Sequence, residues 1–101
     1  MTYHFATYTL TVPSVDNDGN PAPYHLEKVR AGMEEAGFTG WTETASVGYW
    51  NGKLEPGTVI TLYAPRSHAT FKRLGIIGRH AMPDQEAVQV TVGADVVLAE
   101  A

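Results

Sequence analysis

The chain has 101 residues, 44% of them hydrophobic and 18% charged, with a formal net charge of −4 and no cysteine. That length suits one domain, residues 1–101, around one core, and the ordinary apolar fraction excludes an intrinsically disordered chain. The missing cysteines exclude a disulfide framework, thiolate metal sites and cysteine nucleophiles. No apolar run reaches the roughly 18 residues of a membrane span. Met1, Thr2, Tyr3 and His4 do not begin the basic-then-apolar pattern of a signal peptide. The expectation is a soluble, cytoplasmic protein.

The first strand is expected over Tyr3–Val12. Ala6, Tyr8, Leu10 and Val12 share one face and Thr7, Thr9 and Thr11 the other, the period of two of a half-buried strand. Pro13–Pro23 (PSVDNDGNPAP) is a loop rich in residues that break regular structure. From within it onward, Asp16, Asp18, Asn20 and Glu27 match part of a calcium-loop spacing. Pro21, however, stands where such a loop needs Gly, and no helix enters it, so a polar turn feeding a helix is the better reading. That helix runs over Pro23–Ala36, with Leu26, Val29, Met33 and Ala36 as its apolar stripe. Pro23 suits its first turn, Gly37 the left-handed residue after it, and Phe38 the hydrophobic contact of a Schellman end.

Strands follow over Trp41–Trp50 and Thr58–Tyr63, joined by NGKLEPG. Asn51-Gly52 is a hairpin signal and Pro56-Gly57 fits a type II turn. The tip is therefore either a tight turn with a later kink or one longer loop. A second helix spans Ser67–Met82, with Ser67 as N-cap and Phe71, Leu74, Ile77, Gly78 and Ala81 on one face. Gly75 and Gly78 weaken it and allow a kink or a shorter helix. The last strand is Ala87–Val92, with the tail free to add another after a turn at Gly93-Ala94. The order βαββαβ predicts the ferredoxin-like α+β fold: a four-stranded antiparallel sheet with two helices on one face.

Arg66, His68, Lys72, Arg73, Arg79 and His80 lie between Tyr63 and Met82, where there is no acid. At 100° per residue, His68, Lys72 and Arg79 take one flank of the apolar stripe and Arg66, Arg73 and His80 the other. This is a candidate site for an anionic small molecule or an acidic partner surface. The alternative is a solvated helix face. Four formal positive charges in an acidic chain argue against duplex nucleic acid. Trp41, Tyr49, Trp50 and Tyr63 gather near the hairpin. Trp41 and Tyr49 are expected in the core or a subunit interface. Trp50, beside Asn51, is a candidate anchor for a partner protein.

Catalysis finds little support. The four histidines are scattered, Glu43 and Glu55 meet only if the hairpin brings them together, and no nucleophile, phosphate-loop, dinucleotide or zinc motif occurs. Nothing implies a cofactor or a metal.

The block GYWNGKLEPGTVITLY, Gly48–Tyr63, resembles a G-x-W-x-G-x-x-E-P segment of small uncharacterised actinobacterial-phage proteins. It covers about a sixth of the chain and implies no known activity. The element order also resembles that of PII-type and CutA-type trimers and of the dimeric α+β barrels of small oxygenases. None of their site motifs maps onto residues of this sequence.

The leading expectation is a non-enzymatic binding protein that forms a homo-oligomer, a dimer or trimer, by covering the open sheet face. It would hold an anionic ligand with His68, Lys72, Arg73 and Arg79. The second reading is a modulator that docks on a host protein through Trp50 and the Asn51–Gly57 loop. The third is a small enzyme with His4, Tyr8 or His68 lining a pocket between sheet and helices.

Overall fold

The computed structural model describes residues 2–85 and 88–99, with side chains at 5–49, 51–85 and 88–93. The elements are β1 (Thr2–Pro13), α1 (Pro23–Glu35), β2 (Thr42–Trp50), β3 (Lys53–Ala64), α2 (His68–Ala81) and β4 (Val90–Ala99). They form a four-stranded antiparallel sheet of order β2-β3-β1-β4 with two helices packed on it, the expected ferredoxin-like arrangement.

β1 is central and its alternation builds the core. Ala6, Tyr8, Leu10 and Val12 are buried under the helices, together with Ile60, Leu62 and Ala64 of β3. Val29 and Met33 of α1 and Leu74, Ile77 and Ala81 of α2 close the core from above. The Tyr8 hydroxyl accepts from the Ser67 N–H at 2.8 Å and donates to the Ser67 carbonyl at 3.2 Å, fixing the start of α2 to the sheet. The Ser67 hydroxyl caps that helix, accepting from the Ala69 N–H. α1 ends as its sequence predicts. Gly37 is left-handed at φ 92°, Phe38 N–H bonds the Met33 carbonyl and Gly37 N–H that of Glu34, the two bonds of a Schellman motif.

Two expectations need correction. Pro56-Gly57 is not a turn, because β3 begins at Lys53 and runs straight through both residues. The hairpin turns tightly at Asn51 (φ 50°) and Gly52 (φ 75°), with Trp50 paired to Lys53. Pro56 is tolerated because its carbonyl, and so the nitrogen beside it, faces Ser14 rather than β2. Gly57 pairs with Pro13, where an added Cβ would lie 2.7 Å from the Val12 carbonyl oxygen. The tail after Gly93 is not a separate strand either. β4 continues, and the register shift between Ala6 and Tyr8 absorbs one extra β4 residue as a bulge. Arg66 donates to the Gly93 carbonyl there, at 3.0 Å. Ala87, the expected start of that strand, lies outside the described residues.

The sequence leaves the continuity of α2 open, and the helix runs unbroken through both glycines. Gly78 has a packing reason, since a Cβ there would meet Val88 at 2.4 Å and Leu10 at 3.2 Å. Gly75 has nothing within 4 Å. The two substitutions should therefore differ in sign. Gly75→Ala should stabilise by about 0.5–1 kcal/mol and Gly78→Ala destabilise by about 1–3 kcal/mol in urea unfolding, since only the second overpacks a core contact.

Candidate functional site

The β2–β3 hairpin outruns the rest of the sheet. β1 stops at Pro13, so Lys53–Pro56 and their β2 partners Val47–Trp50 have no β1 residue beside them. Tyr49 pairs with Leu54 and Val47 with Pro56 on the face that bears the helices further along. The helices do not reach this far, and Val47, Tyr49 and Leu54 are 70%, 71% and 68% exposed. Of the two places expected for Tyr49, the core or a subunit interface, the core is excluded. It has the right parity for the core face but lies beyond the covered part of the sheet. The side chain of Trp50 lies outside the described residues.

A groove of about 900 Å³ opens where this hairpin meets the 13–22 connection and the residues after α2. Tyr49 and Leu54 line its apolar side, and Asn17, Asn51, Lys53 and Gln85 are among its polar groups. Two loops hold its inner wall. In the first, the Asp16 carboxylate accepts from the Asp18 and Asn20 N–H groups, each at 2.9 Å. These bonds, chiefly that from Asn20, hold its carboxyl below the ordinary range. This is the polar turn expected in place of a calcium loop. Among the described residues no cluster of three or more metal-ligating side chains occurs. In the second loop, the Asp84 carbonyl accepts from Asn17 Nδ2 at 2.6 Å, and Gln85 Nε2 donates to Asn17 Oδ1 at 3.1 Å.

Beneath both loops sits His25, wholly buried. Its Nδ1 lies 2.9 Å from the Pro13 carbonyl. A carbonyl only accepts, so Nδ1 carries a hydrogen. The stripe on which α1 was aligned omitted His25, although positions 25, 29 and 33 are four residues apart. That spacing was the available signal.

The cations of α2 do not converge on the groove. His68, Lys72, Arg73 and Arg79 are exposed, and none of the four lines it. Arg73 instead donates to the Ala36 carbonyl at the C-terminal end of α1, at 3.3 Å. His68 stacks on Phe71, with ring centroids 6.3 Å apart. Of the expected site residues whose side chains are described, only Asn51 lines the groove. The enzyme reading loses its proposed pocket. Tyr8 fills the core, His68 is exposed on α2, and the His4 side chain lies outside the described residues. Glu43 and Glu55 do not pair either. Glu43 opposes Ile60 on the core side, whereas Glu55 opposes Gly48 on the other.

Glu43 forms a bidentate bridge to Arg30, at 2.9 and 2.5 Å, and accepts from Trp41 Nε1 at 3.0 Å, joining α1 to β2. The Arg30 hydrogen bonds, then that from Trp41, lower its carboxyl pKa to about 2.

Against known proteins, no family model and no curated protein matches the chain. Among solved structures it is similar to a nitrogen regulatory PII-like protein from Thiomonas intermedia K12. The identity is 15% and the TM-score 0.65, with 100% of this chain and 99% of that one covered. That structure is described as bound to ADP, AMP and bicarbonate. At this identity the likeness establishes the fold. The phage likeness of Gly48–Tyr63 gains no support from these comparisons. No helix among the described residues is long and apolar enough to cross a membrane.

The Glu43 bridge makes a pH prediction with a definite sign. The folded-state pKa is depressed, so the bridge stabilises fully above about pH 4.5, the ordinary value, and is lost as pH falls toward about 2. Glu43→Gln should cost about 1 kcal/mol at pH 7 and almost nothing near pH 2, measured by urea unfolding at each pH.

Proposed function

We propose that this chain is a small, non-enzymatic, self-associating protein that binds a nucleotide-like anion, an adenine nucleotide first among them, in the hairpin groove. The groove is the observation that carries the reading. Its volume falls in the roughly 300–1,000 Å³ range of small-molecule sites, and its aromatic and aliphatic wall stands with a few amides, the Lys53 cation and the carboxylates of Asp16 and Glu55. Tyr49 and Leu54 suit a base and Asn17, Asn51 and Gln85 its polar edges, and Lys53, which alternation sets on the opposite face of the hairpin from Leu54, is the cation for a phosphate at the groove's rim. The choice of adenine nucleotides is supported by the ADP and AMP bound to the PII-like neighbour, whose whole chain this one follows. In this reading His68, Lys72 and Arg79 on one flank of α2 and Arg73 on the other make a separate positive region, which draws anions toward the molecule or receives an acidic partner surface.

Self-association is supported by the open sheet face. Register places Thr7, Thr9 and Thr11 of β1, Val59, Thr61 and Tyr63 of β3, Thr42 and Thr44 of β2 and Thr91 of β4 together there. None is charged, and the Thr9 and Thr91 hydroxyls bond one another. A sheet face that stays in water ordinarily carries charge, so a face of this kind suits burial against further copies in a dimer or trimer.

A second reading is favoured by the exposure of Val47, Tyr49 and Leu54. The protruding hairpin would dock on a partner protein, a host protein if the chain is phage-encoded, with Trp50 and Asn51 at its tip.

Calorimetric titration with ADP tests the first reading. The wild type should bind, Lys53→Ala should weaken binding about tenfold, and Lys72→Glu should change it less than about twofold. No binding, or the reverse order of the two variants, removes the groove assignment. Sedimentation velocity tests the sheet face: Thr61→Lys should convert the oligomer to a folded monomer, and an unchanged sedimentation coefficient would rule that face out.

A further inference from the structure

His25 has one nitrogen satisfied and one not. With Nδ1–H given to Pro13, the neutral ring presents a bare lone pair at Nε2. That atom is buried and has no hydrogen-bond partner among the described residues. Facing it at 3.8 Å is Asp84 Oδ1, on a side chain 44% exposed. Two acceptors aimed at each other gain nothing from their proximity, whereas a proton on Nε2 would turn the pair into a charge-assisted hydrogen bond. The other described groups around the imidazole come from the 13–22 connection, β1 and α1. Asp16, on the 13–22 connection, interacts with it electrostatically. β1 contributes a carbonyl. On its own helix the Tyr24 ring stands edge-on at 4.8 Å, with Lys28 held over that ring rather than toward the imidazole.

The position of this pair matters because Asp84 is tied to the groove wall. Its carbonyl holds Asn17, Asn17 holds Gln85, and both amides line the groove. We infer that His25 is a proton-operated latch. On protonation Nε2 donates to Asp84, draws the 82–85 turn toward α1, stiffens the Asn17–Gln85 wall and raises the groove's affinity for a nucleotide. The last step rests on the nucleotide reading above, while the movement of the wall does not.

The test is a pH titration from 5 to 8 of the nitrogen-15-labelled full chain by NMR. Wild type and Asp84→Asn are compared, the substitution lying at a half-exposed turn. In the wild type, the His25 ring should show the Nδ1–H form at high pH. As Nε2 takes its proton, the Asn17 and Gln85 side-chain amides should shift with the same midpoint. In Asp84→Asn the ring should still titrate while the amides stay still. A ring that does not titrate, or wild-type amides that ignore it, overturns the latch. ADP binding then tests the coupling. The ratio of affinities at pH 6 and pH 8 should be about fivefold larger in the wild type than in Asp84→Asn, which cancels the nucleotide's own titration. Equal ratios overturn the coupling. Failure of ADP to bind at any pH overturns the nucleotide reading and leaves the latch judged by the amide signals alone.

Discussion

Pro13 ends β1 beside a β3 that has already run four residues before reaching Gly57, and this mismatch in strand length shapes the rest of the surface. Two backbone facts enforce it. Pro13 has no N–H to extend a ladder, and Gly57 has no Cβ to keep the β1 carbonyl of Val12 away. Ser14 then turns off the sheet and seals the corner, donating both its N–H and its hydroxyl to the Pro56 carbonyl. Beyond that corner the hairpin stands without a third strand beside it or a helix above it. The exposed Val47, Tyr49 and Leu54 and the groove they border follow from the step.

The surface divides into regions of different chemistry, and the division follows the elements. Where β1, β3 and β2 lie side by side, the open sheet face is mostly threonine, with Val59 and Tyr63 beside it. α2 collects arginines, histidines and a lysine on its outer side without an acid among them. The 13–22 connection and the turn after α2 pair amides and carboxylates over a buried imidazole. A protein of net charge −4 thus carries a basic helix flank, a sheet face rich in threonine and a groove of about 900 Å³.

Local patterns made most of the fold legible. The alternation of β1, the stripe Leu26–Val29–Met33, the Gly37-Phe38 helix end and the Ser67 cap all depend on neighbours a few residues away, and all appear as read. Pro56-Gly57 and Gly93-Ala94 look like turns by composition. Each is instead decided across the ladder, one by a close approach to Val12 and Pro13, the other by a bulge opposite Thr7. The candidate site was less legible for the same reason. Tyr49 has core parity, but the length of β1, not of β2, decides whether anything covers it. Asn51 is visible as a turn residue, yet its place on a groove depends on loops 30 or so residues away in either direction. The α2 cations are conspicuous in the sequence because they are contiguous, whereas the groove is assembled from segments that are not.

β2 lies at the margin of the sheet, and its nine residues carry a single charge, Glu43, itself engaged by Arg30. Along its outer side run backbone donors and acceptors with no strand to receive them, and no proline interrupts them. An extended peptide laid there would find a ready register, with one acid near the start of the strand as the only electrostatic deterrent. The same margin that could recruit a linear segment of another protein is also where strands of neighbouring molecules would zip together at high concentration. The least protected part of this fold is therefore an outer strand rather than a loop.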